Sequence, residues 1–301
     1  MLTKRTVEMV EVGPRDGLQN EAAIVSTADK LLLVRRAIDY GIRRIEVTSF
    51  VNPKKVPQLA DAEELARMLP ERNDVTYIGL VLNRRGAERA LATGRIDELG
   101  AVCVTSDTFG IRNQGQTSHE SLTAAMEIVA LAKASGHGGQ ITIATAFGCP
   151  FEGEIAVERV VEMAKHAADA DPREIALADT IGVGDPARVA EMVGRVRQAV
   201  GDLPLRVHFH NTRGTGIANV WAAVNEGAAT VDAALGGLGG CPFAPGAAGN
   251  VATEDVVYML ERSGIETGVA LAQTVEAAGW LSGIMERPLP AMVSKAPPFP
   301  G

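Results

Sequence analysis

The sequence predicts an α/β fold, a TIM (β/α)8 barrel with a short C-terminal helical extension. Two observations carry the prediction. Short β-like runs alternate with helix-like segments between residues 7 and 263, as in a parallel sheet covered by helices. The alternation repeats eight times in a 301-residue chain, and a (β/α)8 barrel typically takes about 250 residues. No glycine-rich linker divides the chain. We therefore expect one barrel over 1–263, with 264–301 as an extension packed on the barrel or on a partner subunit. A doubly wound open sheet is the alternative reading of the same alternation.

VEMVEV (7–12) is the first expected strand, and it runs into the Gly-Pro turn of GPRDGLQN. A helix is expected over 26–41. Ser26 can cap its first free N–H groups, Asp29 follows three residues later, and Gly41 can take the left-handed terminating position. RRIEVTS (43–49) precedes a helix near 57–69, VTYIGLVL (75–82) one near 84–92, and ELGAVCVT (98–105) one near 118–135. QITIATAF (140–147), EIALADT (174–180), LRVHFHN (205–211) and TVDAALGG (230–237) precede helices near 156–169, 185–200, 214–226 and 253–263. Residues 264–301 hold one more helical segment and a Pro-rich tail.

Composition narrows the partners. The chain is 46% hydrophobic and 22% charged, with a mean hydropathy of +0.08, ordinary for a soluble globular protein. A net charge of −8 argues against general binding to nucleic acid or to an anionic membrane. An anionic substrate would need locally placed cations. Cys103, Cys149 and Cys241 are few and widely spaced, which suggests a reducing compartment and no disulfide framework. Residues 1–16 lack the apolar run of a secretory signal. No uninterrupted apolar stretch of about 18 residues marks a membrane span. The expectation is a cytoplasmic protein.

In a TIM barrel, chemistry sits where strands end and loops begin, at the C-terminal face. The expected strand ends collect unlike chemical types. Arg15, Asp16, Gln19 and Asn20 follow the first strand, Glu46 ends the second, Asp179 the sixth, and Cys241 and Asn250 follow the eighth. The seventh carries His208 and His210. Alternation turns Leu205, Val207 and Phe209 toward the helices and stacks the two histidines in the barrel interior. So placed, they either grip one divalent cation or are hydrogen-bonded interior histidines. Asp16 and Asn250 add hard oxygen ligands, and such a mixed set suits octahedral Mg²⁺ or Mn²⁺ better than tetrahedral zinc.

Arg15 is either an ion-paired structural residue or, beside a metal, a guanidinium that stabilises an oxyanion or enolate. Glu46 and Asp179 either neutralise a nearby cation or handle a proton or a bound hydroxyl. Cys241 lies in GGLGGCPFAPGAAG. Such a loop can move over a site and deliver a thiol as proton donor, although a free cysteine is commonly a small buried hydrophobe. Cys103, inside a strand, takes that buried reading, and Cys149 in FGCPFEG stays open. His119, His137 and His166 are expected on helix or loop surfaces.

The phrases VEVGPRDGLQNE, IEVTSFVNPKKVPQ, FGCPFEG, ADTIGVG, HFHNT and GGLGGCPFAPGAAGNVATEDVVYML together resemble the 3-hydroxy-3-methylglutaryl-CoA lyase family of TIM-barrel metal-dependent acyl-CoA lyases. They stand in order and span nearly the whole chain. The resemblance implies Asp16, His208, His210 and Asn250 as ligands of a divalent metal, Mg²⁺ or Mn²⁺. It implies Arg15 as the enolate-stabilising arginine, Glu46 and Asp179 as active-site carboxylates, Cys241 as the catalytic thiol and Glu254 as an acidic support of its loop. Gln19 is a further candidate for the substrate side.

The resemblance further implies retro-Claisen cleavage of HMG-CoA, or a closely related 3-hydroxyacyl-CoA, to acetyl-CoA and a keto product such as acetoacetate, by a homo-oligomer. The base that takes the hydroxyl proton is Asp16, Asp179 or His208, without a choice among them. Some positions depart from the family's pattern. Asn211 and Arg213 stand where it has Asp and Tyr, and Ala176 and Ala178 where it has Ser and Gly. The loop SDTFGIRNQGQTS also differs. We expect Asn211 and Arg213 to retune the surroundings of the ligands or the anionic end of the substrate pocket. The competing readings are a Claisen-type synthase of the isopropylmalate or citramalate kind, and a non-catalytic acyl-CoA-binding paralogue.

Overall fold

The computed structural model describes residues 5–241 and 244–297, and for Cys241 and residues 244–246 the backbone only. Eight strands close a barrel in sequence order: β1 Glu8–Glu11, β2 Arg44–Ser49, β3 Thr76–Val81, β4 Glu98–Val104, β5 Gly138–Ala144, β6 Ile175–Asp179, β7 Leu205–Phe209 and β8 Thr230–Ala233. All neighbours are parallel, and β1 pairs with β8 to close the ring. The TIM barrel read from the sequence is the fold, and the open doubly wound sheet is excluded by this closure.

The helices are α1 Thr27–Asp39, α2 Ala62–Met68, α3 Arg84–Leu91, α4 Asp107–Gln114, α5 Ser118–Ala134, α6 Val157–Ala168, α7 Pro186–Val200, α8 Gly216–Asn225, α9 Thr253–Arg262 and α10 Leu271–Ile284. The Ser26 side chain accepts from the Asp29 backbone N–H and starts α1, as expected. Gly41 follows with φ of +110°, where a Cβ would meet the Gly268 carbonyl at 2.4 Å. Only glycine fits that approach. Helix α4 was not foreseen; Ser106 caps it within the loop that departs from the family pattern.

Several expected strands end early, the fifth at Ala144 among them, and the endings of the seventh and eighth serve the site. The seventh stops at Phe209, and His210 instead forms an isolated antiparallel bridge with Asn250. The eighth stops at Ala233, and Leu235–Gly237 folds as a tight turn. In that turn Gly236 has φ of +68°, and a Cβ there would meet Leu289 at 2.3 Å. The C-terminal segment thus packs on the barrel directly behind the loop that leads to Cys241. Ile265–Glu266 pairs with Arg5–Thr6, and Arg36 of α1 lies 4.8 Å over the Trp280 ring of α10. Among the described residues, no helix is long and apolar enough to cross a membrane.

The barrel floor is ionic. Arg44 is fully buried and contacts Glu8, Glu98 and Glu174, each at 2.8 Å. Arg206, one layer higher, lies 3.6 Å from Glu174 and 3.4 Å from Asp232. Branched apolar side chains usually fill this space. Removing one partner from such a buried network costs about 3–5 kcal/mol, because a charge is left uncompensated.

Candidate active site

The segment Gly13–Gly17 is a single wide helical turn. The N–H groups of Arg15, Asp16 and Gly17 converge on the Val12 carbonyl at 3.1, 2.8 and 3.2 Å. Such wide turns recur at functional sites. This one projects Arg15 and Asp16 over the barrel mouth.

Asp16 and the histidines meet there. Asp16 Oδ2 lies 3.6 Å from His210 Nε2 and 3.9 Å from His208 Nε2. One donor atom from each residue falls within 4.8 Å of the others. The imidazole centroids are 5.2 Å apart. Burial alone would raise the Asp16 pKa, but Arg15, a hydrogen bond with His210 and both imidazoles hold it well below the usual carboxylate range. Asp16 is thus an anionic oxygen facing two ring nitrogens, a donor set that fits a divalent cation.

Asn250 stands beside the cluster, carried there by its bridge with His210. Its amide nitrogen donates to Asp16 Oδ2 at 2.9 Å and to the Leu238 carbonyl at 3.1 Å. An oxygen ligand from Asn250 therefore requires the amide to turn. Arg15 bridges two carboxylates: Nη1 donates to Asp16 Oδ1 at 2.5 Å and Nε to Glu46 Oε1.

Asp179 is differently placed. Its two oxygens accept the backbone N–H groups of Val183 and Gly184, each at 2.9 Å. Burial raises its pKa against those hydrogen bonds. Glu254 accepts the Gly236 N–H at 2.9 Å, behind the turn that leads to Cys241, and burial pushes its pKa up to about 7. Asn211 Oδ1 accepts the Gly216 N–H at 3.0 Å, and Arg213 donates to the carbonyls of Ile181 and Gly182 at 2.9 Å each. Both fasten loops behind the cluster, and neither lines the cavity. The Cys241 side chain, and with it the thiol assignment, lies outside the described residues. Cys103 is buried in β4 with its thiol pushed up to about 12 by burial. Cys149 is buried too, with Ser106 Oγ 2.9 Å from its sulfur. His119, His137 and His166 lie outside the cluster.

The sequence reading missed two carboxylates. Asp232 on β8 stands 3.1 Å from His208 Nδ1; burial raises its pKa, but Arg206, His208 and Arg15 together keep it below the ordinary value. Glu11 accepts from the Gly13 and Leu235 N–H groups and from the Tyr40 and Thr253 hydroxyls at 2.7–2.9 Å. It ties the turn that bears Asp16 to the turn that leads to Cys241. A signal for both was present: a carboxylate inside an apolar strand run.

The cluster opens into a cavity of about 1180 Å³ that includes Gln19, Thr142, Ala178 and Thr180 in its wall. Exposed Lys54, Lys55, Arg85 and Arg112 line its mouth. The described lining residues include only two carboxylates, Asp16 and Asp232, both deep.

A closed parallel barrel with this cluster at its C-terminal face defines a TIM-barrel enzyme. The HMGL-like family profile matches residues 6–280. The (R)-citramalyl-CoA lyase of Chloroflexus aurantiacus is 42% identical, over 97% of this chain and 95% of that protein. A hydroxymethylglutaryl-CoA lyase of Bacillus subtilis is 39% identical, over 95% and 96%. The solved structure of an HMG-CoA lyase from Acinetobacter baumannii, in complex with coenzyme A and 3-methylmalate, superposes with a TM-score of 0.93 at 39% identity, covering all of both chains. The chain belongs to the HMGL-like family and is a carbon–carbon lyase.

Proposed function

We propose that this chain is a divalent-metal-dependent lyase that cleaves HMG-CoA, or a close 3-hydroxyacyl-CoA such as citramalyl-CoA, to acetyl-CoA and a keto acid. The observation that carries the reading is the convergence of Asp16, His208 and His210 beside Arg15, inside a cavity whose mouth is cationic in a chain of net charge −8. Four cations at the mouth suit the phosphates of a coenzyme A thioester. A cytoplasmic homo-oligomer is part of the same reading: the family resemblance supports the oligomer, and the few, widely spaced cysteines support the reducing compartment.

Asp16, His208 and His210 would hold the ion, with Asn250 joining if its amide turns. A bound Mg²⁺ or Mn²⁺ would orient the substrate hydroxyl and lower the cost of removing its proton. Asp179 is the least suited of the three candidate bases, because both of its oxygens already accept backbone N–H groups. Loss of the hydroxyl proton lets C3 become a carbonyl as the C2–C3 bond breaks. The bonding pair moves onto the thioester as an enolate, and the Arg15 guanidinium, fixed by Glu46 and Asp16, is placed to stabilise it. We assign Cys241 as the donor that protonates C2 and completes acetyl-CoA.

The 42% relative favours citramalyl-CoA as a second substrate; its cleavage would give acetyl-CoA and pyruvate. A panel of 3-hydroxyacyl-CoAs with Mg²⁺ or Mn²⁺, followed by acetyl-CoA release, tests the reading. Release from HMG-CoA, citramalyl-CoA or both is expected. No release from any member rejects it.

A further inference from the structure

His208 faces two carboxylates through its two ring nitrogens. Asp232 Oδ2 lies 3.1 Å from Nδ1, and Asp16 Oδ2 lies 3.9 Å from Nε2. A neutral imidazole carries one N–H and one lone pair, and an ionised carboxylate only accepts. The two carboxylates therefore compete for one proton. If Asp16 takes it, Nε2 has no lone pair left for a metal. Asp232 is the nearer, and the barrel register holds it there, since His208 and Asp232 are direct partners across β7 and β8. Its other oxygen, Oδ1, lies 3.4 Å from Arg206 Nε. Neutralising Arg206 does not by itself require a carboxylate against the imidazole, because Glu174 already lies 3.6 Å from that guanidinium.

We propose that Asp232 is a positioning residue for the metal centre: it takes the Nδ1 proton of His208, so that Nε2 presents its lone pair beside Asp16 and His210. This rests on the metal-site reading above. Carboxylates behind ligand histidines commonly act this way, and their loss costs about 10- to 100-fold in metal affinity. In Asp232→Asn the amide nitrogen can donate to Nδ1 instead, which drives the ring to the Nε2–H tautomer.

Two measurements on metal-free protein test the proposal, and neither uses turnover. The first is the His208 tautomer in ¹⁵N-histidine-labelled protein, assigned by comparison with His208→Gln. Nδ1–H is expected in the unsubstituted protein, and Nε2–H there overturns the proposal even if Asp232→Asn does not fold. The second is the Mn²⁺ dissociation constant by electron paramagnetic resonance, with folding checked by circular dichroism. An increase of about 10- to 100-fold in Asp232→Asn is expected. If the unsubstituted protein binds Mn²⁺ and a folded Asp232→Asn binds it equally well, the proposal alone falls. If the unsubstituted protein binds none, the metal-site reading falls with it.

Discussion

Arg15 Nη1 donates to Asp16 Oδ1 at 2.5 Å, a bond between sequence neighbours that leaves the other Asp16 oxygen facing the two histidines. One turn of backbone thus sets a fixed cation and an oxygen proposed as a metal ligand side by side. The function proposed above depends on this pairing, because the enolate needs the guanidinium next to the ion and not elsewhere in the cavity.

Arg15→Lys keeps the charge but loses the fork that reaches Glu46 and Asp16 together. We expect kcat to fall about 100- to 1,000-fold with KM little changed, by analogy with the loss of one oxyanion donor. Steady-state kinetics decide this, and an unchanged kcat would leave Arg15 as a structural ion pair.

Lys54→Ala and Lys55→Ala probe the cavity mouth. Both lysines are exposed, so each should raise KM about two- to fivefold with kcat unchanged. The salt dependence of KM should also weaken, since screening acts on these same charges. A KM that ignores both lysines would place the coenzyme elsewhere.

Restoring the family's residues with Asn211→Asp and Arg213→Tyr should leave the order of preferred substrates unchanged. Aspartate keeps the acceptor for the Gly216 N–H. Tyrosine loses the two carbonyl contacts of Arg213, at a cost of roughly 1 kcal/mol in thermal unfolding. An altered preference on the acyl-CoA panel would contradict the loop-fastening role.

Glu254 ties pH to stability. Its folded pKa is raised to about 7 from 4.5, so the native state holds the proton after the unfolded chain has released it. Stability from this group is fully present below pH 4.5, falls as pH rises toward about 7, and levels off above that. Glu254→Gln keeps an acceptor for Gly236 and removes this slope. The variant should gain on the unsubstituted protein by a few kcal/mol between those limits in melts followed by circular dichroism. Parallel curves would show that Glu254 ionises normally.

The barrel was legible because eight repeats of one pattern outweigh errors at any single boundary, and the inward pair His208 and His210 followed from alternation alone. The wide turn at Gly13–Gly17 was not, because three N–H groups sharing the Val12 carbonyl leave no periodic signature. Asp232 and Arg206 went unread for another reason. Each looks like a solitary charge in an apolar strand, and only the registers of β6, β7 and β8 bring them together with His208 and Glu174. Arg213 shows the opposite limit. It stood out in sequence close to His210, yet the side chain turns away to the Ile181 and Gly182 carbonyls.

In the function proposed above, carbon–carbon cleavage runs on an ion held by Asp16, His208 and His210. Acetyl-CoA release from HMG-CoA and citramalyl-CoA, by protein stripped with a chelator and then resupplied with Mg²⁺ or Mn²⁺, tests it most directly. No release is expected from stripped protein, recovery is expected with either ion, and no recovery is expected in His210→Ala at the same ion concentration. Full release by the stripped protein would contradict it.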